Sequence, residues 1–169
     1  MKIEPIETPR LFLRGFTPED ARFAAGIWND PEMGEYLLDE CMETVSEEYL
    51  RQIEALGDDE ECCYLIAEDK QTRERIGTCS FIPQDGVYDI AYCVHKKFWR
   101  QGYATEMAGG MIGHAKNQGA RKITVVISSE NPGSNAIARK FGFHVAETLM
   151  EKKRGSSREF TDYKYELEL

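Results

Sequence analysis

A short basic segment that leads into a glycine carries the clearest chemical signal in the sequence. Residues 94–106 read VHKKFWRQGYATE, so a predicted strand ends, a basic loop follows and a helix begins at Gly102. The first N–H groups of a helix have no partner within the helix, and they carry partial positive charge. Gly102 allows a tight turn, and Ala104 keeps a neighbouring position small. The pattern predicts a cradle for a pyrophosphate, with charge added by Lys96, Lys97 and Arg100.

A second candidate segment follows the most apolar predicted strand of the chain, residues 122–128. Residues 131–143 read NPGSNAIARKFGF and predict a helix that opens at Asn131. The Asn131 amide can donate and accept hydrogen bonds, so it can meet a polar ligand. Taken alone, Asn131 or Ser134 is explained by helix capping. Together with the glycine loop upstream, the segment favours a ligand contact.

These two segments resemble the coenzyme A site of the GNAT acetyltransferases. In residues 98–106, Gly102 and Ala104 match the family pattern [Q/R]-x-x-G-x-[G/A], while Trp99 occupies the Gln/Arg position. An aromatic residue there is similar to the RimJ/RimL branch of ribosomal-protein N-terminal acetyltransferases. Residues 131–143 match the segment N-x-x-S-x-x-x-A-x-K-x-G-F of the same family at every specified position.

The resemblance implies one N-acetyltransferase domain over residues 1–169 and acetyl-CoA as co-substrate. The implied fold is a mixed α/β sheet, mostly antiparallel, with a central splayed pair of parallel strands and helices on both faces. The splayed strands would be residues 87–95 and 122–128, with the pantetheine arm between them. The implied coenzyme contacts are the backbone amides of Arg100, Gln101, Gly102, Tyr103, Ala104 and Thr105 at the pyrophosphate, the backbone of Cys93 and Val94 and the Asn131 side chain at the arm, and Lys140 at a phosphate. A solvated helix face explains Lys140 equally well.

Three residues are candidates for proton transfer. Asp89 is the first choice for the base, directly or through water, because the family often carries a carboxylate there. A salt bridge at the strand edge is the competing explanation. Many relatives use a tyrosine as the acid seven residues after the equivalent of Asn131, but Ala138 stands there in this chain. The RimL-like branch suggests Ser134 instead, and Tyr92 is a weaker candidate that a core position also explains.

The elements needed to position these residues can be predicted from local patterns. Alternating apolar residues and turn signals predict strands at residues 11–16, 62–68, 75–83, 87–95, 122–128, 145–152 and 162–169. Capping signals and apolar spacing predict helices at residues 17–28, 32–38, 46–56, 102–118 and 133–141. Three glycines within the fourth of these helices, Gly109, Gly110 and Gly113, are unfavourable for a helix, so we expect close packing against the sheet.

Composition narrows the class of protein. The chain has 169 residues and a net charge of -9, which argues against nucleic acid as a partner. This acidity suits a cationic acceptor, and a role in keeping the protein soluble explains it equally well. Five cysteines without a CxxC pair and three scattered histidines predict neither a disulfide framework nor a metal site. No apolar run is long enough to span a membrane, and the start lacks a signal peptide, so we expect a cytoplasmic protein.

The sequence therefore predicts an acetyl-CoA-dependent N-acetyltransferase that acts on a primary amine by direct transfer through a ternary complex. The acceptor is a protein N-terminus, as in RimJ/RimL-like enzymes, or a small amine such as a polyamine or an aminoglycoside. Because the usual tyrosine acid is missing, a non-catalytic coenzyme A-binding module stays open as the third reading. A homodimer is compatible with all three.

Overall fold

A single eight-stranded sheet organises the protein in the computed structural model, which describes all 169 residues. Its strand order is β1-β2-β3-β4-β5-β6-β8-β7. The strands are β1 (Ile6–Glu7), β2 (Leu11–Gly15), β3 (Cys63–Asp69), β4 (Arg75–Gln84), β5 (Val87–Val94), β6 (Lys122–Ser128), β7 (His144–Lys152) and β8 (Glu159–Glu168). The helices are α1 (Ala21–Trp28), α2 (Glu47–Glu54), α3 (Tyr103–Asn117) and α4 (Pro132–Lys140). None of them combines the length and the apolar character that a membrane-spanning helix requires.

The one parallel pair of the sheet separates along its length. Strands β5 and β6 pair only at Val87–Lys122, Tyr88–Ile123 and Asp89–Thr124. Beyond that point β5 remains paired with β4 up to Val94, and β6 remains paired with β8 up to Ser128. A gap therefore opens between the C-terminal halves of β5 and β6. The predicted mixed sheet with a central splayed pair is confirmed.

Helices cover both faces of this sheet. On one face, Met107 and Met111 of α3 join the larger apolar core together with sheet residues such as Leu65 and Ile123. On the other face, α1 and α2 form a smaller core in which Ala24 and Leu50 pack with Ile66 of β3. Burial of this kind stabilises by about 25 cal/mol per Å² of apolar surface, which explains why the amphipathic helices are held against the sheet.

The glycines of α3 allow close approach at two of their three positions. A Cβ on Gly110 would lie 2.8 Å from Thr8 Cγ2 and 3.3 Å from Leu13 Cδ1, so this turn of the helix touches β2 and the segment before it. A Cβ on Gly109 would lie 3.3 Å from Phe141, which follows α4. A Cβ on Gly113 would meet nothing within 4 Å. Close packing against the sheet is thus confirmed for Gly110. At Gly109 the close neighbour is Phe141 instead of the sheet, and at Gly113 the prediction is wrong.

Gly113 to alanine is expected to stabilise the protein by about 0.5–1 kcal/mol, because alanine loses less backbone entropy in a helix and finds open space here. Gly110 to alanine is the matched control and is expected to lower stability through the clash with Thr8. Thermal unfolding should show a rise in melting temperature of roughly 1–4 °C for the first variant and a fall for the second. A lower melting temperature for the first variant would contradict the open space at Gly113.

The predicted helix at residues 32–38 is wrong. The chain forms turns from residue 31 to 38 instead. The Asp30 carboxylate accepts hydrogen bonds at 2.9 Å from the amides of Glu32 and Met33. The backbone carbonyl of Asp30 accepts a third, at 2.7 Å, from the Gly34 amide. The segment then extends to an isolated β-bridge between Asp39 and Arg154. Contacts with the distant β7–β8 hairpin therefore override the local helical pattern.

Candidate active site

The start of α3 has the geometry of an anion-binding turn. Gly102 precedes the helix with a φ of 80°, and Arg100 has a φ of 60°. Positive φ is the region that glycine adopts most readily, which explains Gly102 at the sharpest point of the turn. The first helical hydrogen bond runs from Glu106 N to Gly102 O at 3.1 Å. The amides of Tyr103, Ala104 and Thr105 therefore have no acceptor within the helix and can bind an anion.

Arg10, which directly precedes β2, contacts this turn, and the sequence indicated no role for it. Its Nε donates to Glu106 Oε2 at 2.6 Å, and its Nη1 donates to the Gln101 carbonyl at 2.9 Å. Its guanidinium lies 4.1 Å from the centre of the Tyr103 ring. Nη2 makes no hydrogen bond within the chain and would lie 3.5 Å from a Cβ on Gly102. Arg10 thus fixes the turn and presents free donors beside it.

The sequence predicts that Lys96, Lys97 and Arg100 add positive charge at the turn, and the structure pairs two of them with carboxylates. Lys96 Nζ pairs with Asp30 at 2.8 Å and Lys97 Nζ pairs with Glu74 at 2.6 Å, so both ammonium groups already have a carboxylate partner. Arg100 forms no ion pair. Glu106 accepts from Thr8 Oγ1 at 2.6 Å and from the Arg10 amide at 2.7 Å in addition to the Arg10 side chain. Arg10 therefore compensates the Glu106 carboxylate, which would otherwise repel a phosphate here.

The backbone of β5 faces the gap at alternate residues. The His95 amide donates to Ile76 O of β4 at 2.9 Å, and Cys93 is opposite Thr78 of β4. Because backbone groups alternate in direction along a strand, those of Tyr92 and Val94 point toward the gap. The Val94 carbonyl accepts from Trp99 Nε1 at 2.7 Å, so its amide is the free group. Tyr92 and Val94, and not Cys93, thus offer backbone hydrogen bonds across the gap.

On the far side of the gap, Asn131 caps α4 and orients Ser134. Asn131 Oδ1 accepts from the Ser134 amide at 3.2 Å, and its Nδ2 donates to Ser134 Oγ at 3.2 Å. The capping role that competes with a ligand contact is therefore present. Asn135 anchors the same turn, because its Nδ2 donates to Ser128 O at 2.8 Å and its Oδ1 accepts from the Tyr165 hydroxyl at 2.6 Å. Lys140 is exposed at the last turn of α4 and forms no ion pair.

Two of the predicted proton-transfer residues come together. Burial raises the pKa of Tyr92 to about 12, and the neighbouring Ser134 side chain offsets part of that rise. The Tyr92 hydroxyl therefore keeps its proton at neutral pH and can donate it. Tyr92 packs toward the α3 core, which places this pair on the α3 and α4 side of the sheet.

The third candidate, Asp89, projects to the opposite face, because successive side chains of a strand alternate. Thr124 Oγ1 donates to Asp89 Oδ1 at 2.6 Å, at the last position where β5 and β6 still pair. Burial raises the pKa of this carboxyl, while the Thr124 hydrogen bond and the Lys164 charge oppose the rise. A carboxylate with a raised pKa is a better match to neutral pH as a base.

A cavity of about 840 Å³ lies on the α1 and α2 side of the gap. It is bordered by Ala91, Tyr92 and Cys93 of β5, by the end of α1, and by the segment from Leu37 to Met42. Arg154 and Gly155, between β7 and β8, complete the wall. An acceptor bound here would approach the gap from the Asp89 face of the sheet.

The Cys93 thiol is poorly suited to act as a nucleophile. Burial raises the pKa of the Cys93 thiol to about 11, so the thiolate is scarce at neutral pH. All five cysteines are free. No three His, Cys, Asp or Glu side chains come together in a group that could hold a metal ion.

Comparison with known sequences identifies the family. The sequence profile of the acetyltransferase (GNAT) domain matches residues 10–144. YkkB, an uncharacterised protein of Bacillus subtilis, is 34% identical over 89 residues, a match that spans 50% of this chain and 52% of that protein. The uncharacterised N-acetyltransferase YoaA of Bacillus subtilis is 27% identical over 152 residues, 86% of each chain.

Solved structures share the fold at lower identity. RimL, a ribosomal L7/L12 alpha-N-protein acetyltransferase, superposes with a TM-score of 0.81 at 18% identity, over 98% of this chain and 94% of that one. Spermidine N-acetyltransferase from Vibrio cholerae, in complex with CoA and spermine, gives a TM-score of 0.80 at 19% identity, over 94% and 95% of the two chains. With the family profile covering most of the sequence, the chain belongs to the GNAT family of acetyltransferases and is an acyltransferase.

Proposed function

We propose that this protein transfers the acetyl group of acetyl-CoA to a primary amine by direct transfer in a ternary complex. One observation carries the proposal: the cavity borders Ala91 to Cys93 of β5, the gap opens along β5 beyond Asp89, and the anion-binding turn follows Val94, so the three features lie along one path beside β5. An elongated ligand with a diphosphate at one end and a thioester at the other fits such a path. The coenzyme would supply an activated acetyl group at the meeting point of gap and cavity.

The residues present fit the coenzyme in three places. The backbone amides from Arg100 to Thr105 and the guanidinium group of Arg10 can bind the diphosphate. The free Val94 amide and the Tyr92 backbone suit the amide groups of the pantetheine arm, with Cys93 beside them in the wall. Asn131 borders the arm from α4, and Lys140 is available for a phosphate at the exposed end. Backbone pairing of this kind holds an extended arm much as a strand is held in a sheet.

Two proton transfers are assigned by position. Asp89 faces the acceptor side and accepts the proton of the incoming ammonium group through water. Ser134 and Tyr92 lie together on the other side and donate a proton toward the sulfur of the leaving group. An α-amino group with a pKa of about 8 needs less help from a base than a lysine at about 10.4. Binding both reactants side by side lowers the entropic part of the barrier.

Both acceptor classes find support in relatives of similar fold. RimL acts on a protein α-amino group, as its name states, and the Vibrio cholerae enzyme acts on spermidine. The third reading, a non-catalytic coenzyme A-binding module, predicts the same affinity for the coenzyme but no product. Cytoplasmic residence and a homodimer remain part of the proposal.

Release of free thiol from acetyl-CoA in the presence of an amine panel tests the function. The panel should include peptides with free N-termini, spermidine and an aminoglycoside, and mass spectrometry should locate the added acetyl group. We expect amine-dependent thiol release with acetyl on nitrogen. Tight coenzyme binding without transfer to any amine would favour the binding module.

Ser134 to alanine is expected to lower kcat on the order of 100-fold while the dissociation constant for acetyl-CoA changes less than about threefold, because the hydroxyl acts on the leaving group. Tyr92 to phenylalanine is the companion variant. If the two hydroxyls act as one relay, the double variant should cost little more than the worse single variant. Steady-state kinetics measures kcat, and calorimetry measures the dissociation constant for acetyl-CoA. Unchanged turnover in the Ser134 variant would remove that residue from the mechanism.

A further inference from the structure

We propose that the acceptor is a primary amine with a single positive charge, carried on an apolar body such as an aromatic ring. This inference rests on the proposed function and narrows its substrate. It excludes polyamines and aminoglycosides as the preferred acceptors.

The walls of the 840 Å³ cavity are predominantly apolar. Eleven of its eighteen lining residues are hydrophobic, which disfavours a ligand rich in hydroxyl or amine groups. Aromatic side chains border it from three separate elements: Trp28 at the end of α1, Tyr49 on α2 and Tyr64 on β3. Each unpaired polar group of a ligand buried here would lose its water without a replacement hydrogen bond. The cavity therefore favours an apolar body.

The charges at the cavity leave one carboxylate for the ligand. Only Asp39, Glu40 and Arg154 among the lining residues are charged. Arg154 Nε and Nη2 hold the two oxygens of Asp39 at 2.7 and 3.1 Å, so these charges neutralise each other. Glu40 forms no ion pair. A single ammonium group can be matched here, whereas a polyamine would bury further charges without partners.

Further contacts of Glu40 and Arg154 fix one wall of the cavity. The Glu40 amide donates to Arg154 O at 3.0 Å and the Arg154 amide donates to Leu38 O at 2.8 Å. Lys153 Nζ, itself buried, donates to Glu35 O at 3.0 Å. The segment from Leu37 to Met42 is thus fastened to the β7–β8 hairpin across the cavity. This wall of the cavity is therefore held in place by hydrogen bonds to the hairpin.

A panel of matched amines tests the proposal. The rate constant kcat/KM should be measured by thiol release for 2-phenylethylamine, spermidine, kanamycin, and two tripeptides that begin with phenylalanine and with serine. We expect 2-phenylethylamine to exceed spermidine and kanamycin by at least about tenfold, a difference of about 1.4 kcal/mol. The phenylalanine peptide should exceed the serine peptide by a similar factor if the natural acceptor is an N-terminus. The comparison between 2-phenylethylamine and the phenylalanine peptide shows whether the natural acceptor is a small free amine or a protein N-terminus.

A preference for spermidine or kanamycin would overturn the proposal and leave the acetyltransferase function standing. Failure to acetylate every amine, with acetyl-CoA bound, would overturn the function itself. The two failures are therefore distinguishable.

A charge added at the rim gives an independent check. Leu38 is 37% exposed beside Asp39, so a polar side chain can replace it without disturbing the core. Leu38→Glu should raise kcat/KM for spermidine relative to 2-phenylethylamine at least about tenfold, because it supplies a second carboxylate. Leu38→Gln, which has the same size without the charge, should not change this ratio. Equal shifts in both variants would contradict the charge argument.

Discussion

Replacing Gly102 with glutamate is expected to weaken acetyl-CoA binding by at least about 100-fold, or about 2.8 kcal/mol. The new carboxylate would stand at the turn whose free amides bind the diphosphate. It would also lie beside Arg10 Nη2, which is 3.5 Å from the position of the new Cβ, and would engage the donors that are free for a phosphate. Both effects weaken binding of the diphosphate, so the loss of acetyl-CoA affinity should exceed the loss that backbone strain alone would cause.

Gly102 to alanine separates charge from strain. Alanine at a φ of 80° carries the same backbone penalty, of order 1 kcal/mol, but brings no charge and makes only an ordinary contact with Arg10. Its loss of coenzyme affinity should stay within about tenfold. Isothermal calorimetry with acetyl-CoA and with pantetheine, which lacks the diphosphate, gives the decisive comparison. Equal affinity for acetyl-CoA in the glutamate and alanine variants would show that the diphosphate binds elsewhere.

The parts of this site that could be predicted from the sequence depend on neighbours along the chain. The turn at Gly102 is set by a strand end, a glycine and a helix start within about ten residues. The cap at Asn131 and the run of apolar residues in β6 are equally local. Local signals of this kind survive folding because no distant contact competes with them.

The parts that could not be predicted are formed by distant contacts. Arg10 reaches Glu106 across 96 residues of sequence, and nothing near Arg10 indicates that partner. Residues 32–38 carry a helical pattern, but Lys153 and Arg154 hold the neighbouring chain in turns from more than 110 residues away. The cavity that selects the acceptor is bordered by this same segment. Acceptor specificity is thus the property that local sequence patterns describe least well.

A buried charge cluster at the start of α1 provides the second large effect. Asp20 is fully buried and accepts hydrogen bonds from Arg14 Nη1 at 2.8 Å, Arg14 Nη2 at 2.9 Å and Arg75 Nε at 2.7 Å. The Thr17 amide donates to it at 2.9 Å. Arg14 also reaches Glu68 at 2.7 Å, so the cluster ties the first turn before α1 to strands β2, β3 and β4. Burial raises the pKa of Asp20, but the two guanidinium groups outweigh it and hold that pKa well below its usual range.

Asp20 to asparagine is expected to destabilise the protein by about 3–5 kcal/mol at pH 7, because it leaves Arg14 and Arg75 without their shared counter-charge. Since the pKa of Asp20 is lower in the folded than in the unfolded state, its stabilising contribution is complete above the unfolded value of about 3.9 and falls as the pH drops below it. The difference between wild type and variant should therefore narrow below about pH 4. Urea unfolding followed from pH 7 down to pH 3 measures both quantities.

Lys2 to alanine is the control for this experiment, because it breaks the exposed pair with Asp58 at 3.4 Å and should leave the unfolding midpoint unchanged. A stability difference for the Asp20 variant that stays constant as the pH falls would show that its loss arises from packing and not from charge. A difference that narrows would show that one buried carboxylate joins α1, and with it the wall of the acceptor cavity, to the sheet that carries the coenzyme site.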